Sequence, residues 1–367
     1  MAYSVPSEYS PIMKLLVITQ KANENDPILG FFCRWIVEFA GHFESVKVLC
    51  LEEGAHAFPA NVTVSSLGKE KGTSRASQLA HFYRYIWQER KNYDAVFIHM
   101  NPIYAVFGGW FWKISNKKVA LWYTHKAVDA KLRIAERFVD VIFTAANESF
   151  TLKTPKKRVV GHGIDVGRYA SAKRVKEMGS EPISIVSVGR ITPIKDCGTL
   201  IEAVRILKGK WDKRFTVKFI GSPATSSDKE YAVKVKGLVE KYDLKNIVSF
   251  IGDVKPVNMP VEYSRADITV NLTPTGGIDK AVLESMAAGV PALTSNVAFK
   301  GYFDQARPGL SDKLIFEHGD AEDLAGKIIT VFSGDLLSVG RDLQKAAMEK
   351  SDLPNLVAKI SDDMMKI

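Results

Sequence analysis

Residues 266–295 read ADITVNLTPTGGIDKAVLESMAAGVPALTS, and the fold is decided in this stretch. ADITVNL is a short β-branched run of strand type. TPTGG is a turn cluster whose small residues leave backbone N–H groups accessible. In IDKAVLESMAAG the apolar residues Ile278, Ala281, Val282 and Met286 fall near helical spacing, and the helix stops at Gly289 ahead of Pro291. VPALTS reads as the next buried strand. The succession of strand, glycine turn, helix and strand places the turn at a helix N-terminus. Free N–H groups and the positive end of the helix dipole meet there, which suits a phosphate or another anion. Glu284 lies about two turns into the helix, where its carboxylate could accept hydrogen bonds from ribose hydroxyls. Any parallel α/β protein with a glycine turn would read the same way, so the flanking chain has to decide between the two.

On both sides, strand-like runs alternate with helix-like ones, the pattern of parallel sheets with crossover helices. Before the stretch come strands at 14–20, 45–51, 61–67, 94–100, 118–125 and 139–145, with helices around Leu29–Ala40, Ala76–Lys91, Tyr104–Ile114 and Ala130–Phe138. A second alternation starts at ISIVSVGR (183–190). It runs through a helix at Gly198–Lys208, a strand at 214–221, a helix at Lys229–Tyr242 and a strand at 247–253. After the stretch it continues with a strand LIFEHGD (314–320) and helices at Ala321–Phe332, Leu336–Lys350 and Leu353–Met365. The polar run GRYASAKRVKEMGSEP after RVVGHGID is the hinge candidate. The expected fold class is α/β, two Rossmann-like domains with parallel sheets facing a central cleft. Residues 1–172 form the first domain, 173–350 the second, and 351–367 a C-terminal helix that packs back on the first.

A chain of 367 residues has room for two domains, and 46% hydrophobic with 25% charged residues is an ordinary globular composition. Cys33, Cys50 and Cys197 make neither a metal spacing nor a disulfide framework and read as buried thiols of a reducing compartment. The opening MAYSVPSEYSPIMKLLVITQ lacks the marks of a signal peptide and reads as a flexible lead-in to the first strand. No window is long and apolar enough to span a membrane. Charge is uneven: residues 1–174 hold 24 Lys and Arg against 15 Asp and Glu, and the remainder holds 26 of each. That asymmetry suggests an anionic partner for the first half, either an acidic membrane surface, a phosphorylated lipid, an acidic glycan or nucleic acid. A merely solvated basic face is the plainer alternative.

In VSVGRITPIKDCGTLIEA, Arg190 follows a strand and Lys195 comes five residues later, before a helix. Two cations at the carboxyl end of a strand could clamp a diphosphate leaving group. Taken alone, exposed loop cations would be the simpler reading. This segment, with FIGDV, PVEYSRADITVNLTPTGGIDKAVLESMAAGVPALTSN and HGIDVGRY, resembles the retaining GT-B glycosyltransferases of family 4 over roughly residues 158–300. DAVFIHMNP and LWYTH match the family's first half more loosely.

The resemblance implies roles. Arg190 and Lys195 would bind the donor diphosphate, and His125 would line the sugar site, these three being the catalytic candidates. Gly30, Gly189, Gly276, Gly277, Ile278, Asp279, Lys280 and Glu284 would form the donor site, with Glu284 on the ribose. His99 is a further counterpart in a cleft loop, and His162 stands where the family has Asn. The chain departs from the family at Gly276, where the first Glu of the paired-Glu motif would stand. Asp279 and Lys280 could contact the sugar in its place, or form a solvated helix start.

The reaction implied is transfer of a sugar from a nucleoside diphosphate sugar (UDP- or GDP-linked) to an acceptor hydroxyl with retention. A glycan or lipid-linked acceptor in cell-surface glycan synthesis is expected, with no cofactor, no metal and no nucleic acid. A non-catalytic nucleotide-sugar or glycan-binding protein, or a GT-B nucleotide-sugar epimerase, would fit the same resemblance. ASQLAHFYRYIWQERK and AVFGGWFWKISNKK interleave aromatic with basic residues, as an interfacial helix does. Crossover helices that bury Leu79, Phe82, Ile86 and the tryptophans would read alike. The expected location is cytoplasmic, with peripheral contact at the inner face of an anionic membrane.

Overall fold

In the computed structural model, which describes residues 13–367 apart from Pro27 and Lys176, every strand ladder pairs parallel. The lead-in expected at the N-terminus lies outside the described residues.

The first sheet contains β1 (Lys14–Ala22), β2 (Ser45–Glu53), β3 (Val62–Ser66), β4 (Ala95–His99), β5 (Lys118–Trp122), β6 (Val141–Thr144) and β7 (Lys157–Val159), in the order β3-β2-β1-β4-β5-β6-β7. Its crossover helices are α1 (Phe31–Ala40), α2 (Arg75–Gln88), α3 (Ile103–Ile114) and α4 (Ala130–Phe138). Strands β1 and β4 are continuous apolar runs because helices cover both faces, and Leu16, Ile18, Val96 and Ile98 are among the fully buried residues of this core.

The second sheet contains β8 (Ile183–Val188), β9 (Phe215–Ile220), β10 (Val248–Gly252), β11 (Ile268–Asn271) and β12 (Ala292–Thr294), in the order β10-β9-β8-β11-β12. Around it lie α5 (Val166–Ala170), α6 (Cys197–Lys210), α7 (Ser226–Lys241), α8 (Met259–Ser264), α9 (Lys280–Ala287), α10 (Lys300–Ala306), α11 (Ser311–Leu314), α12 (Ala321–Phe332) and α13 (Leu336–Ser351). The last helix, α14 (Leu353–Lys366), packs on α1 through a stripe that includes Leu356, Val357, Ile360 and Met364. Lys118 ties it down further by donating to the Met365 carbonyl at 3.0 Å.

Two expectations differ. The stretch 314–320 is no strand: Ile315 makes one bridge to Thr294, and Gly319 at φ +83° then turns the chain into α12, capped by Asp320. The chain leaves the first compact unit at Gly161, not after residue 172, and returns to it at Leu353. The reason is local. RVV pairs with β6 as β7, whereas Ile164 already bridges to Asp352 and donates to the Ser351 carbonyl at 2.8 Å. The polar run that follows opens with α5, which buries Val166 and Tyr169 in the second unit.

Helix α9 is positioned from its C-terminal end. Gly289 takes φ +69°, the left-handed conformation that ends helices, and Gln344 of α13 donates to the Ala287 carbonyl at 2.9 Å. Gly340 of α13 approaches so closely that a Cβ there would lie 2.1 Å from the Gly289 carbonyl oxygen. Gly340→Ala should therefore push α13 off α9 and cost about 2 kcal/mol, read as a lower midpoint in urea unfolding; an unchanged midpoint would contradict this seam.

Candidate functional site

In each sheet the strand order reverses beside its first strand, at β1/β4 and at β8/β11. Open α/β sheets take ligands at the carboxyl ends of such a switch point, because the loops leaving the two strands diverge there. In the second unit those loops are Gly189–Asp196 and Leu272–Asp279. Gly189 (φ +150°) crosses Gly221 so tightly that a Cβ on Gly221 would sit 2.2 Å from the Gly189 carbonyl. Asp228, within the capping box of α7, also takes the Thr192 hydroxyl, and that bond, together with those from Thr225 and Ala224, holds its carboxyl down at about 2 against burial. The Arg190–Lys195 loop is thereby pinned to the N-terminus of α7.

Lys195 donates to the Thr273 hydroxyl at 2.7 Å and forms a short ion pair with Asp279. Thr273 donates to the same Asp279 oxygen at 2.7 Å. Burial raises the pKa of Asp279, but the Lys195 ammonium and the hydrogen bonds outweigh it and keep the carboxylate ionised well below the ordinary range. Asp279 also caps α9, accepting from the Ala281 N–H at 3.4 Å. Arg190 is exposed and has no ion pair or hydrogen bond among the described residues. The N–H groups of Gly276, Gly277 and Ile278 likewise have no acceptor among the described residues, and the Gly277 carbonyl is fixed by Asn296 at 2.8 Å. An exposed guanidinium and a lysine on the loop after β8, and three open N–H groups ahead of α9, are group types that can hold an anion.

One turn into α9, Glu284 accepts from the Tyr263 hydroxyl at 2.9 Å and from Tyr169, whose ring meets that of Tyr263 edge-on. Burial raises the Glu284 pKa despite the opposing pull of Lys280 and the two hydroxyls. Burial also lowers Lys280 to about 8, against the attraction of Glu284 and Asp279. His162, buried beside them, is held at about 4 by burial and by the Lys280 charge.

The site candidates of the first unit are placed differently. His125 is exposed beyond β5, with Nδ1 accepting from the Ala127 N–H at 3.1 Å. Gly30 starts α1, and a Cβ there would lie 2.5 Å from the Asp26 carbonyl. His99 ends β4, as its place in the expected strand 94–100 implies, and is buried, stacked on Phe32 at 3.7 Å and hydrogen-bonded to Thr19 at 3.2 Å. Thr273, Tyr169, Tyr263 and Asn296 were not foreseen as site residues. Tyr169 and Tyr263 stand in the segments HGIDVGRY and PVEYSRAD, but no spacing rule joins a tyrosine there to a glutamate on α9.

Residues 170–350 match the family described as glycosyl transferases group 1. Over 169 residues, 44% of the chain, the sequence is 31% identical to the amylovoran biosynthesis glycosyltransferase AmsK of Erwinia amylovora. Over 191 residues, 50% of the chain, it is 27% identical to the D-inositol 3-phosphate glycosyltransferase of Geodermatophilus obscurus. These matches span 39% and 42% of those relatives, about two fifths of their length. The fold matches Anabaena Alr3699/HepE, solved in complex with UDP and glucose, at a TM-score of 0.74 and 16% identity, covering 97% of this chain and 100% of that one. Sucrose-phosphate synthase from Thermosynechococcus elongatus matches at 0.73 and 14% identity over 96% and 98%. The fold class is thus that of GT-B glycosyltransferases, two Rossmann-like α/β domains with parallel sheets.

The buried neutral His162 gives a test of the site's electrostatics. Between about pH 6.5 and 4 the unfolded chain protonates this histidine while the folded chain does not, so stability falls as pH falls through that window. The loss is on the order of 3 kcal/mol. In urea unfolding at about pH 7 and about pH 4.5, His162→Gln should lose less stability than the parent chain; equal losses would place His162 in a solvated setting.

Proposed function

We propose that the chain is a glycosyltransferase of glycan synthesis that moves a sugar from a nucleoside diphosphate sugar to an acceptor hydroxyl with retention. The observation that carries this reading is that Arg190, with no partner among the described residues, shares its loop with Lys195 at the switch point of the second sheet, where the N–H groups before α9 are also open among the described residues. The group 1 match over residues 170–350 supports it, as does the likeness in fold to a protein solved with UDP and glucose.

A lysine ammonium has three N–H donors, and Thr273 and Asp279 take two of those on Lys195. The third is left for a phosphate oxygen. Because Asp279 offsets the Lys195 charge, Arg190 brings the net positive charge that a departing diphosphate needs. The N–H groups of Gly276–Ile278 and the positive end of α9 add fixed dipoles aimed at the same group. Glu284 keeps acceptor capacity beyond its tyrosine bonds, so ribose hydroxyls can share it, which suits either a UDP- or a GDP-sugar. His125 is assigned to the transferred sugar.

As the bond from the anomeric carbon to phosphate oxygen breaks, the acceptor oxygen bonds to that carbon from the same face. Its proton passes to the departing phosphate oxygen, leaving a nucleoside diphosphate and a glycoside. No protein base is required. The Asp279 carboxylate is engaged by Lys195, Thr273 and the Ala281 N–H, so it acts here as a positioning residue for the clamp and not as a reader of the sugar.

Arg190→Ala should lower kcat for nucleoside diphosphate release on a panel of UDP- and GDP-sugars by about a hundredfold or more, with an unchanged unfolding midpoint. Near-parental turnover would move the clamp elsewhere. Glu284→Ala should weaken binding of the free nucleotide roughly tenfold by titration calorimetry, the scale of a lost hydrogen bond to a charged group. Gly276 favours a second reading, a binding protein on this fold, because no carboxylate is offered to the sugar there. Nucleotide binding with neither transfer nor hydrolysis of any donor in the panel would decide for it.

A further inference from the structure

Helix α3 turns Tyr104, Ala105, Gly108, Gly109, Phe111 and Trp112 inward. Its outward positions are 103, 106, 107, 110, 113 and 114, the spacing of one helical face. Such a face on a surface helix is normally polar, yet five of these six residues are apolar. Ile103, Val106 and Phe107 are partly buried and pack against the core, whereas Trp110 is 50% exposed and Ile114 80% exposed, with Lys113 the one charge.

Helix α2 extends the patch. Tyr83 donates to the Phe107 carbonyl at 3.2 Å, and Trp87, 59% exposed, stands with its ring 5.9 Å from that of Phe111. Helix α4 packs against α3 and shows Ile134 to solvent. Crossover helices that buried every tryptophan would have left none of this. Phe82, Ile86 and Trp112 do face the core, whereas Trp87 and Trp110 do not.

The charge on the same three helices is one-sided: Arg75, Arg84, Lys113, Lys131, Arg133 and Arg137 against Glu136 alone. Arg90, just past α2, lies over the Trp87 ring at 4.4 Å. The compact unit that carries these helices has 23 Lys and Arg against 16 Asp and Glu. Charge decides among occupants. A second copy would bring the same cations against these, whereas an anionic lipid surface brings the opposite sign. Tryptophan and tyrosine favour the boundary between headgroups and acyl chains, and long basic side chains can lay their stems on apolar surface while reaching phosphate. No helix among the described residues is long and apolar enough to cross a bilayer, so the contact is with its surface.

We propose that the outward face of α2, α3 and α4 docks on an anionic bilayer, seating Trp87, Trp110 and Ile114 at the acyl boundary and Arg84, Lys113, Arg133 and Arg137 on lipid phosphates. The contact stands independently of the sugar-transfer reading, since lipid binding needs no turnover.

The test is co-sedimentation of the whole chain with phosphatidylcholine vesicles and with vesicles containing about 30% phosphatidylglycerol. At low salt the anionic vesicles should bind roughly tenfold more protein, and added salt should reverse the excess. Trp110→Ser combined with Ile114→Ser should lower binding to anionic vesicles roughly tenfold, while Val233→Ser, exposed on α7, should leave it unchanged. Arg133→Glu with Arg137→Glu, which leaves the apolar stripe intact, should abolish the preference for anionic lipid. Equal binding to the two vesicle types overturns the proposal. So does full binding by the Trp110/Ile114 pair, or a dimer in sedimentation velocity that this pair dissolves, which would make the face an interface between copies.

Discussion

The ion pair between Lys195 and Asp279 joins two loops that the chain separates by more than eighty residues. One leaves β8 and the other leads into α9, and Thr273 closes the triangle between them. A partly buried pair of this kind is costly to break from one side, because the remaining charge would be stranded without its partner. Much of the second unit serves to hold it. The tight crossing of Gly189 and Gly221 sets where the first loop starts, Asp228 fixes its middle through Thr192, and the α13 seam fixes α9.

This constraint redistributes charge within the site. With Asp279 spent on Lys195, the positive character available to an anion rests on Arg190 and on the backbone before α9. Farther along the helix, Glu284 is held by two tyrosines and Lys280 is partly discharged by burial. Polar groups packed this closely keep their geometry only while each has a partner, which makes the cluster rigid before any ligand arrives. Gly276 contributes no side chain to it. A glutamate at that position would add a carboxylate that glycine lacks, while the backbone N–H is common to both.

In the first unit the same topology produces a different surface. His99 occupies the end of β4 at that sheet's own switch point, where it is buried, stacks on Phe32 and hydrogen-bonds to Thr19. The chemical character of the unit lies on its helical layer, where α3 presents an apolar outer stripe between basic neighbours. A globular core accounts for the inner face of that helix and for Ile103, Val106 and Phe107, and leaves the exposed Trp110 and Ile114 unexplained.

The sequence alone carries the alternation of strands and helices, because apolar periodicity, glycine stops and helix caps act over a few residues. It also marks Arg190, Lys195 and the turn before α9 as candidates, since cations and glycines beside strand ends are local features. Strand order and register, the crossing at Gly161, the bridge that LIFEHGD makes in place of a strand, and the burial of His99 were decided by tertiary structure. Each depends on which distant segments meet. Whether Asp279 faced a sugar or a lysine, and whether Trp110 faced the core or solvent, followed from the packing of parallel strands, which brings together residues that no local pattern connects.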